Sequence, residues 1–418
     1  MIGPKGLTFM SESDLQQLIS DRIQRDGPIT FAEYMRMALY EPEYGYYVTG
    51  AAKMGWEADY FTSTDVSNLF ANCMGRQLFA MWEKLKHPEH FIVLEQGAGR
   101  GHLAEGVRSW AQIKAPEFFE VLDYRTEDIR GGVDAITTDE FEQSKTVRYS
   151  MKGEESNISL RYPQQDNPKA THHNTTPVPT RGRGSSEREM PSVVLSNELV
   201  DAFLVHIVEK RGERLYEVFV DMQQDGRFCE VAGEPSKLEV VDYLDLYKIP
   251  WRTFEDGWRA EVNLDALRWI QRTAGLIRKG FVLTIDYGDK AKELYTAWRR
   301  RGTLLCYYKH QANERPLMHP GKQDITAHVN FSALIDEGRR HGMRLHKFTT
   351  QRLWLKSLGI EEELEQRYLN EFADAEFARA TDRGQIALLK WRDIRQRASV
   401  LTDPGGMGDF KVLILRRP

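Results

Sequence analysis

Glu95 closes an apolar run, Phe91 to Leu94, and three alternating glycines follow it: Gly97, Gly99 and Gly101. The run reads as a buried parallel strand, and ligands of open α/β sheets bind just past the carboxyl ends of such strands. Alternating glycines permit a sharp turn with positive φ, so a ligand can approach bare backbone. A second apolar stretch, Phe118 to Leu122, ends on Asp123, placed to accept hydrogen bonds from both hydroxyls of a ribose. The dinucleotide fingerprint is G-x-G-x-x-G, with a helix N-terminus facing a pyrophosphate. This chain has E-x-G-x-G-x-G instead. An acid ahead of the glycines suits a cofactor with a cationic amino-acid tail and no phosphate. S-adenosylmethionine carries a sulfonium, an ammonium and a ribose, and leaves as S-adenosylhomocysteine. Glu95, Gly97, Gly99, Gly101 and Asp123 are the expected cofactor residues.

Methyl transfer from a sulfonium is an in-line displacement. It requires alignment of acceptor, methyl and sulfur, and a base where the acceptor carries a proton. Asn197 and Glu198 follow a candidate strand at 192–196, on the sheet edge toward which the methyl would point. Glu198 is the first choice for orienting the acceptor or taking its proton. Asp201 either shares that face or complements a helix start. Asp286 ends another candidate strand and either lines the acceptor site or holds a turn. His328 is either a base near neutral pH or a structural histidine. Thr62 and Ser63 offer hydroxyls from an N-terminal block that could fold over the cofactor.

The elements that must position these groups begin with helices over 11–40. Leu15, Leu18, Ile19 and Ile23 recur at helical spacing, Gly27-Pro28 breaks the helix, and Thr30 with Glu33 has capping-box spacing for a restart. Another helix is expected from about Ser67 to Leu85. No strand is expected in this block, which reads as a helical cap over 1–88. Strands are expected at 91–95, 119–123, 146–150, 192–196, 281–285, 344–348 and 410–415, the last as a hairpin with its neighbour. Seven strands with helices between them make a doubly wound α/β sheet, with its residues at 89–204 and 259–418. Residues 205–258 combine β-like alternation with aromatic residues and read as an inserted substrate lobe. Residues 163–190 are polar, rich in Pro, Gly and Ser, and read as a mobile loop. Their Arg-Gly-Arg-Gly either touches an anionic partner or lies in solvent. The chain shows no internal repeat.

With 418 residues, 41% of them hydrophobic, the chain can bury full cores. No apolar run approaches the ~20 residues of a membrane helix. The start has neither a signal-peptide core nor an Arg-rich targeting helix, so the cytoplasm is the expected compartment. A formal net charge of −5 gives no indication of nucleic-acid binding. Cys73, Cys229 and Cys306 have no paired spacing, and no cluster has metal-ligand spacing, so neither a disulfide framework nor a metal is expected.

Seven blocks in order resemble the MidA family, whose mitochondrial members are complex I assembly factors with protein-arginine methyltransferase activity. They are Phe31-Ala32-Glu33-Tyr34-Met35 with Tyr44-Gly45-Tyr46-Tyr47, Asp59-Tyr60-Phe61-Thr62-Ser63, Ser67-Asn68-Leu69-Phe70, and the glycine turn at 95–101. Ser196-Asn197-Glu198 with Asp201-Ala202, Ile285-Asp286-Tyr287-Gly288, and Pro320 to Phe331 complete the set. The resemblance implies a class I, Rossmann-like methyltransferase fold and S-adenosylmethionine as cofactor. It also implies a protein arginine as acceptor, which a carboxylate such as Glu198 would bind bidentately. Departures fall at Ala58-Asp59-Tyr60, Gln96-Gly97-Ala98-Gly99, Asp123 and Phe203-Leu204-Val205. Those on the acceptor side keep a small-molecule O-, N- or C-acceptor open, and a scaffold protein that has lost catalysis is the third reading. Oligomeric state is not legible.

Overall fold

The computed structural model describes residues 13–49, 63, 68–128, 147–148, 190–309, 311–374 and 381–418. Thr62, the Asp59-Tyr60 departure and nearly all of the expected loop at 163–190 lie outside them.

Seven strands form the main sheet: β1 Phe91–Gln96, β2 Leu122–Glu127, β3 Val147–Arg148, β4 Val193–Asn197, β5 Gly280–Asp286, β6 Arg344–Thr350 and β7 Lys411–Arg417. Their order across the sheet is β6-β7-β5-β4-β1-β2-β3. β2, β1, β4 and β5 run parallel, β7 lies antiparallel between β5 and β6, and β3 is antiparallel to β2. This is an α/β fold with a mixed sheet. Because side chains alternate along a strand, each face builds its own core. Val193 and Leu195 join Phe281, Leu283 and Ile285 in one cluster, while Val194 joins Val282 in the other. The first core takes up Phe70 and Leu78 of helix Asn68–Lys84; the second takes up Trp269 and Phe331 from the helices beyond β4 and β5. Parallel strands buried on both faces read as near-continuous apolar runs, which is why β1, β4 and β5 are visible in the sequence.

The second stretch differs from its expectation. Residues Pro116–Val121 are a short helix, and the strand starts at Leu122 rather than Phe119. Pro116 occupies the first helical turn, where its missing N–H is harmless and its fixed φ favours helix. Asp123 is thus near the start of β2, not at its end. The final strand also differs: it is no hairpin, since helices Gln351–Ser357, Ile360–Glu371 and Asp382–Thr402 separate β6 from β7.

In the N-terminal block, helices Ser13–Asp26 and Phe31–Tyr40 flank a short strand, Ile29–Thr30, where none was expected. The Thr30 side chain caps the second helix by accepting from Glu33 N–H at 3.1 Å, which fulfils half of the capping box. Ile29–Thr30 pairs with Arg214–Met222, which also pairs with His206–Arg211 and Phe228–Gly233, and Arg259–Val262 closes that second sheet. A small three-stranded sheet joins Leu305–Tyr308 to Gln311–Asn313 and Asp324–Thr326. No helix among the described residues is long and apolar enough to cross a membrane. No group of three or more His, Cys, Asp or Glu among them could hold a metal ion.

Candidate functional site

The strand order reverses between β1 and β4, so a crevice opens past their carboxyl ends, where open α/β sheets bind ligands. Gly97, Gly99 and Gly101 stand there with φ of 74°, 54° and 79°. The positive φ of Gly97 favours glycine, and a side chain there would also press on Leu199 Cδ1 at 2.9 Å. Gly101 occupies the position before helix His102–Lys114, whose free N–H groups face the turn. Glu95 is 3% exposed, and Tyr124 Oη donates to its Oε2 at 3.0 Å. Burial pushes the Glu95 carboxyl up to about 8, with the Asp128 charge adding to the shift. A buried carboxyl raised in this way gains most from a cationic group arriving beside it.

The acid next to the glycine turn is Glu127, not Asp123. Gly97 and Ala98 N–H groups donate to the Glu127 carbonyl at 2.8 and 3.1 Å, and Gln96 Nε2 donates to Glu127 Oε2 at 3.3 Å. Gln96 is itself fixed by Trp269, whose Nε1 donates to Gln96 Oε1 at 2.9 Å. Burial pushes Glu127 up to about 7. Asp123 pairs in register with Ile92, four residues earlier, which at ~3.3 Å per residue is about 13 Å from the crevice. Its carboxylate accepts from Arg125 Nε and Nη2 at 3.0 and 2.5 Å. The sequence signal for Glu127 was the acid pair Glu127-Asp128 after Tyr124; it was obscured by the misplaced strand.

On the other side of the crevice, Asn197, Glu198 and Asp201 converge. Glu198 has φ of 51°, uncommon for a non-glycine residue, and such strain gathers at functional sites. Its Oε1 accepts from Asn197 Nδ2 at 3.0 Å and from Ser63 N–H at 2.8 Å. Ser63, expected at the cofactor or lid, touches Glu198, and its Oγ hydroxyl donates to Gln351 Oε1 at 3.2 Å. Burial pushes Glu198 up to about 7, a value suited to a base at neutral pH. Burial also raises Asp201, which Tyr287 hydrogen-bonds. Asn197 Oδ1 and Asp201 Oδ1 are buried oxygens without a hydrogen-bond partner.

Two expected catalytic groups are otherwise engaged. Asp286 is 0% exposed; its Oδ2 accepts from Leu199, Val200 and Asp201 N–H groups at 3.2, 2.9 and 3.4 Å, and its Oδ1 from Tyr287 N–H at 3.0 Å. It holds the turn that carries Asp201. Burial raises it well above the carboxylate range, with the Asp201 and Glu198 charges adding. His328 packs edge-on against Tyr287 with ring centroids 5.5 Å apart. Burial pushes it down to about 4, which favours the neutral imidazole.

The chain is similar to several known proteins. The family described as "Putative S-adenosyl-L-methionine-dependent methyltransferase" matches residues 73–349. The Drosophila melanogaster protein arginine methyltransferase NDUFAF7 homolog, mitochondrial, is 27% identical over 96% of this chain and 84% of its own length. The Rattus norvegicus protein arginine methyltransferase NDUFAF7, mitochondrial, is 28% identical over 81% of this chain and 73% of its own. A crystal structure of a Burkholderia thailandensis superfamily relative bound to S-adenosyl-homocysteine superposes with a TM-score of 0.70 at 23% identity, covering 100% of this chain and 95% of that one. The chain belongs to the MidA family of S-adenosylmethionine-dependent methyltransferases.

Proposed function

We propose that this protein is a class I methyltransferase acting on the arginine side chain of a protein. The observation that carries the reading is the pair of buried, unpartnered oxygens, Asn197 Oδ1 and Asp201 Oδ1, beside Glu198. Buried acceptors without donors leave a cost that an incoming donor relieves, and a guanidinium brings five N–H donors in a planar fork. The names of the relatives support the same acceptor.

S-adenosylmethionine supplies an electrophilic methyl on its sulfonium. Glu95 would face the cationic tail, the Gly97–Gly101 backbone would admit the ligand, and Glu127 would accept from the ribose hydroxyls. Glu198 would bind the guanidinium and take the proton that leaves as the new N–C bond forms. Asp201 would hold a second N–H, and Asp286 keeps Asp201 in place through the backbone. Phe203, one of the departures from the family pattern, is 0% exposed and packs on Trp269 with centroids 6.1 Å apart, so that change falls in the core.

The test is labelled methyl transfer into a proteome extract and, separately, into small metabolites. Methylarginine in hydrolysed protein is the expected result. Label confined to small molecules would reject the arginine reading, and no label at all would favour a scaffold.

A further inference from the structure

Gln351 stands where four segments meet. It opens helix Gln351–Ser357 directly after β6 and is 0% exposed, an uncommon place for a glutamine. Its N–H, one of the free first-turn donors of that helix, goes to the Phe410 carbonyl just ahead of β7 at 2.7 Å. Its Nε2 donates to the Leu401 carbonyl at 3.1 Å, near the end of helix Asp382–Thr402. That bond settles which end of the amide carries the oxygen. Oε1 is thereby turned to Ser63 and accepts from its Oγ hydroxyl at 3.2 Å. Ser63 is 0% exposed too, and its N–H donates to Glu198 Oε1 at 2.8 Å. A chain of hydrogen bonds thus runs from the β6–helix junction through Gln351 and Ser63 to Glu198.

We propose that Gln351 is a positioning residue for methyl transfer: by holding the Ser63 hydroxyl it aims the Ser63 N–H at Glu198 Oε1 and so fixes the carboxylate in the orientation that meets the acceptor. This rests on the reading of Glu198 as the group that binds the acceptor and takes its proton. A main-chain N–H has no rotamer of its own, so its aim follows from where its residue is held. Asn197 Nδ2 donates to the same oxygen at 3.0 Å, and two donors on Oε1 leave Oε2 as the atom to turn toward the acceptor. The two donors also act on charge. Burial and the Asp201 charge favour the protonated form of Glu198, and the Ser63 and Asn197 donors act against them. Asp286 and Tyr307 are further titratable groups that feel the Glu198 charge. Loosening the Ser63 N–H should therefore make Glu198 harder to ionise.

The test is a pH titration of the Glu198 carboxyl by NMR, on the full chain labelled with carboxyl-13C glutamate and loaded with S-adenosylhomocysteine. The Glu198 signal is the one missing from Glu198→Gln. Ser63→Ala keeps the backbone N–H and removes its tether; Gln351→Leu removes the holder. Each should raise the midpoint by about one pH unit, the value of a hydrogen bond to a charged group. The acidic limb of kcat/KM should move with it. The double variant should move no further than either single one, since both break the same chain. Ser63→Ala decides if Gln351→Leu fails to fold. An unmoved midpoint in Ser63→Ala, or a double variant that shows the sum of the two shifts, overturns the relay. Methylarginine in labelled extract alongside an unmoved midpoint rejects the positioning role alone. A moved midpoint without methylarginine rejects the reaction and leaves the hold on Glu198 standing.

Discussion

Asp286 Oδ2 lies 2.9 Å from the Val200 N–H, and this contact joins the end of one central strand to the turn after its neighbour. It makes the acid a clamp for the residues proposed to face the acceptor.

Replacing Asp286 with alanine should therefore unfold the protein more readily. Four backbone N–H groups lose their acceptor, and each buried group left unsatisfied costs roughly 1–3 kcal/mol. Relaxation and water entry should keep the total on the order of 3–5 kcal/mol. Urea denaturation checks it: a midpoint equal to wild type would return Asp286 to the catalytic candidates. Asp286→Asn keeps one acceptor oxygen and should lose less.

Cofactor affinity separates the two candidate ribose acids. Glu127→Gln should weaken S-adenosylhomocysteine binding by about tenfold or more, in line with the loss of a charge-assisted hydrogen bond. Asp123→Asn should change it little, because that carboxylate is bound to Arg125 at the far end of the strand. Calorimetry giving the reverse pattern would restore Asp123.

Glu198→Gln should leave cofactor affinity within a few-fold and slow methyl transfer at least about a hundredfold, the lower range for a positioned base. With its carboxyl near 7, wild-type kcat/KM should fall as pH drops below that value, since the protonated form can neither bind a cation well nor accept a proton. The acidic limb should vanish in the variant. Its persistence would assign the limb to another group.

Stability should also depend on pH, in the direction opposite to a salt-bridged acid. The folded Glu95 carboxyl titrates near 8, against 4.5 as its ordinary value. The folded state therefore binds more protons between those values, and stability falls as pH rises through that window. Thermal melts of the cofactor-free protein from pH 5 to 8.5 should show the decline, and Glu95→Gln should flatten it. Equal slopes in both proteins would mean that Glu95 is already ionised and partnered.

How much of this was visible in the chain itself depends on whether a feature is local. β1, β4 and β5 are apolar runs that need no partner to be recognised, and the glycines after Glu95 state their own backbone demand. Thr30 capped its helix at the expected place. Glu127, the acid beside the glycine turn, was not singled out because Phe118 and Phe119 suit a short helix as well as a strand, and only Pro116 tipped the choice. Asp286 and His328 were marked by the chemistry of their side chains, yet their roles depend on which N–H groups and rings surround them after folding. Tyr47 meets Asp324 across a separation of 277 residues. Spacing along a sequence carries no trace of such a meeting.

β7 also imposes an order on synthesis. The strand lies between β5 and β6, yet the ribosome makes it after both. At ~5–20 residues per second, the stretch from Thr350 to Lys411 takes roughly 3–12 s, long compared with the microseconds of hairpin closure. Throughout that interval the nascent chain displays two edges, on β5 and β6, that can pair with each other or with a neighbouring polysome's product. The charged residues of β6, Arg344 and Lys347, suit an edge that must wait. A holdase that shields those edges, rather than one that speeds the chemistry of folding, is the assistance this topology calls for.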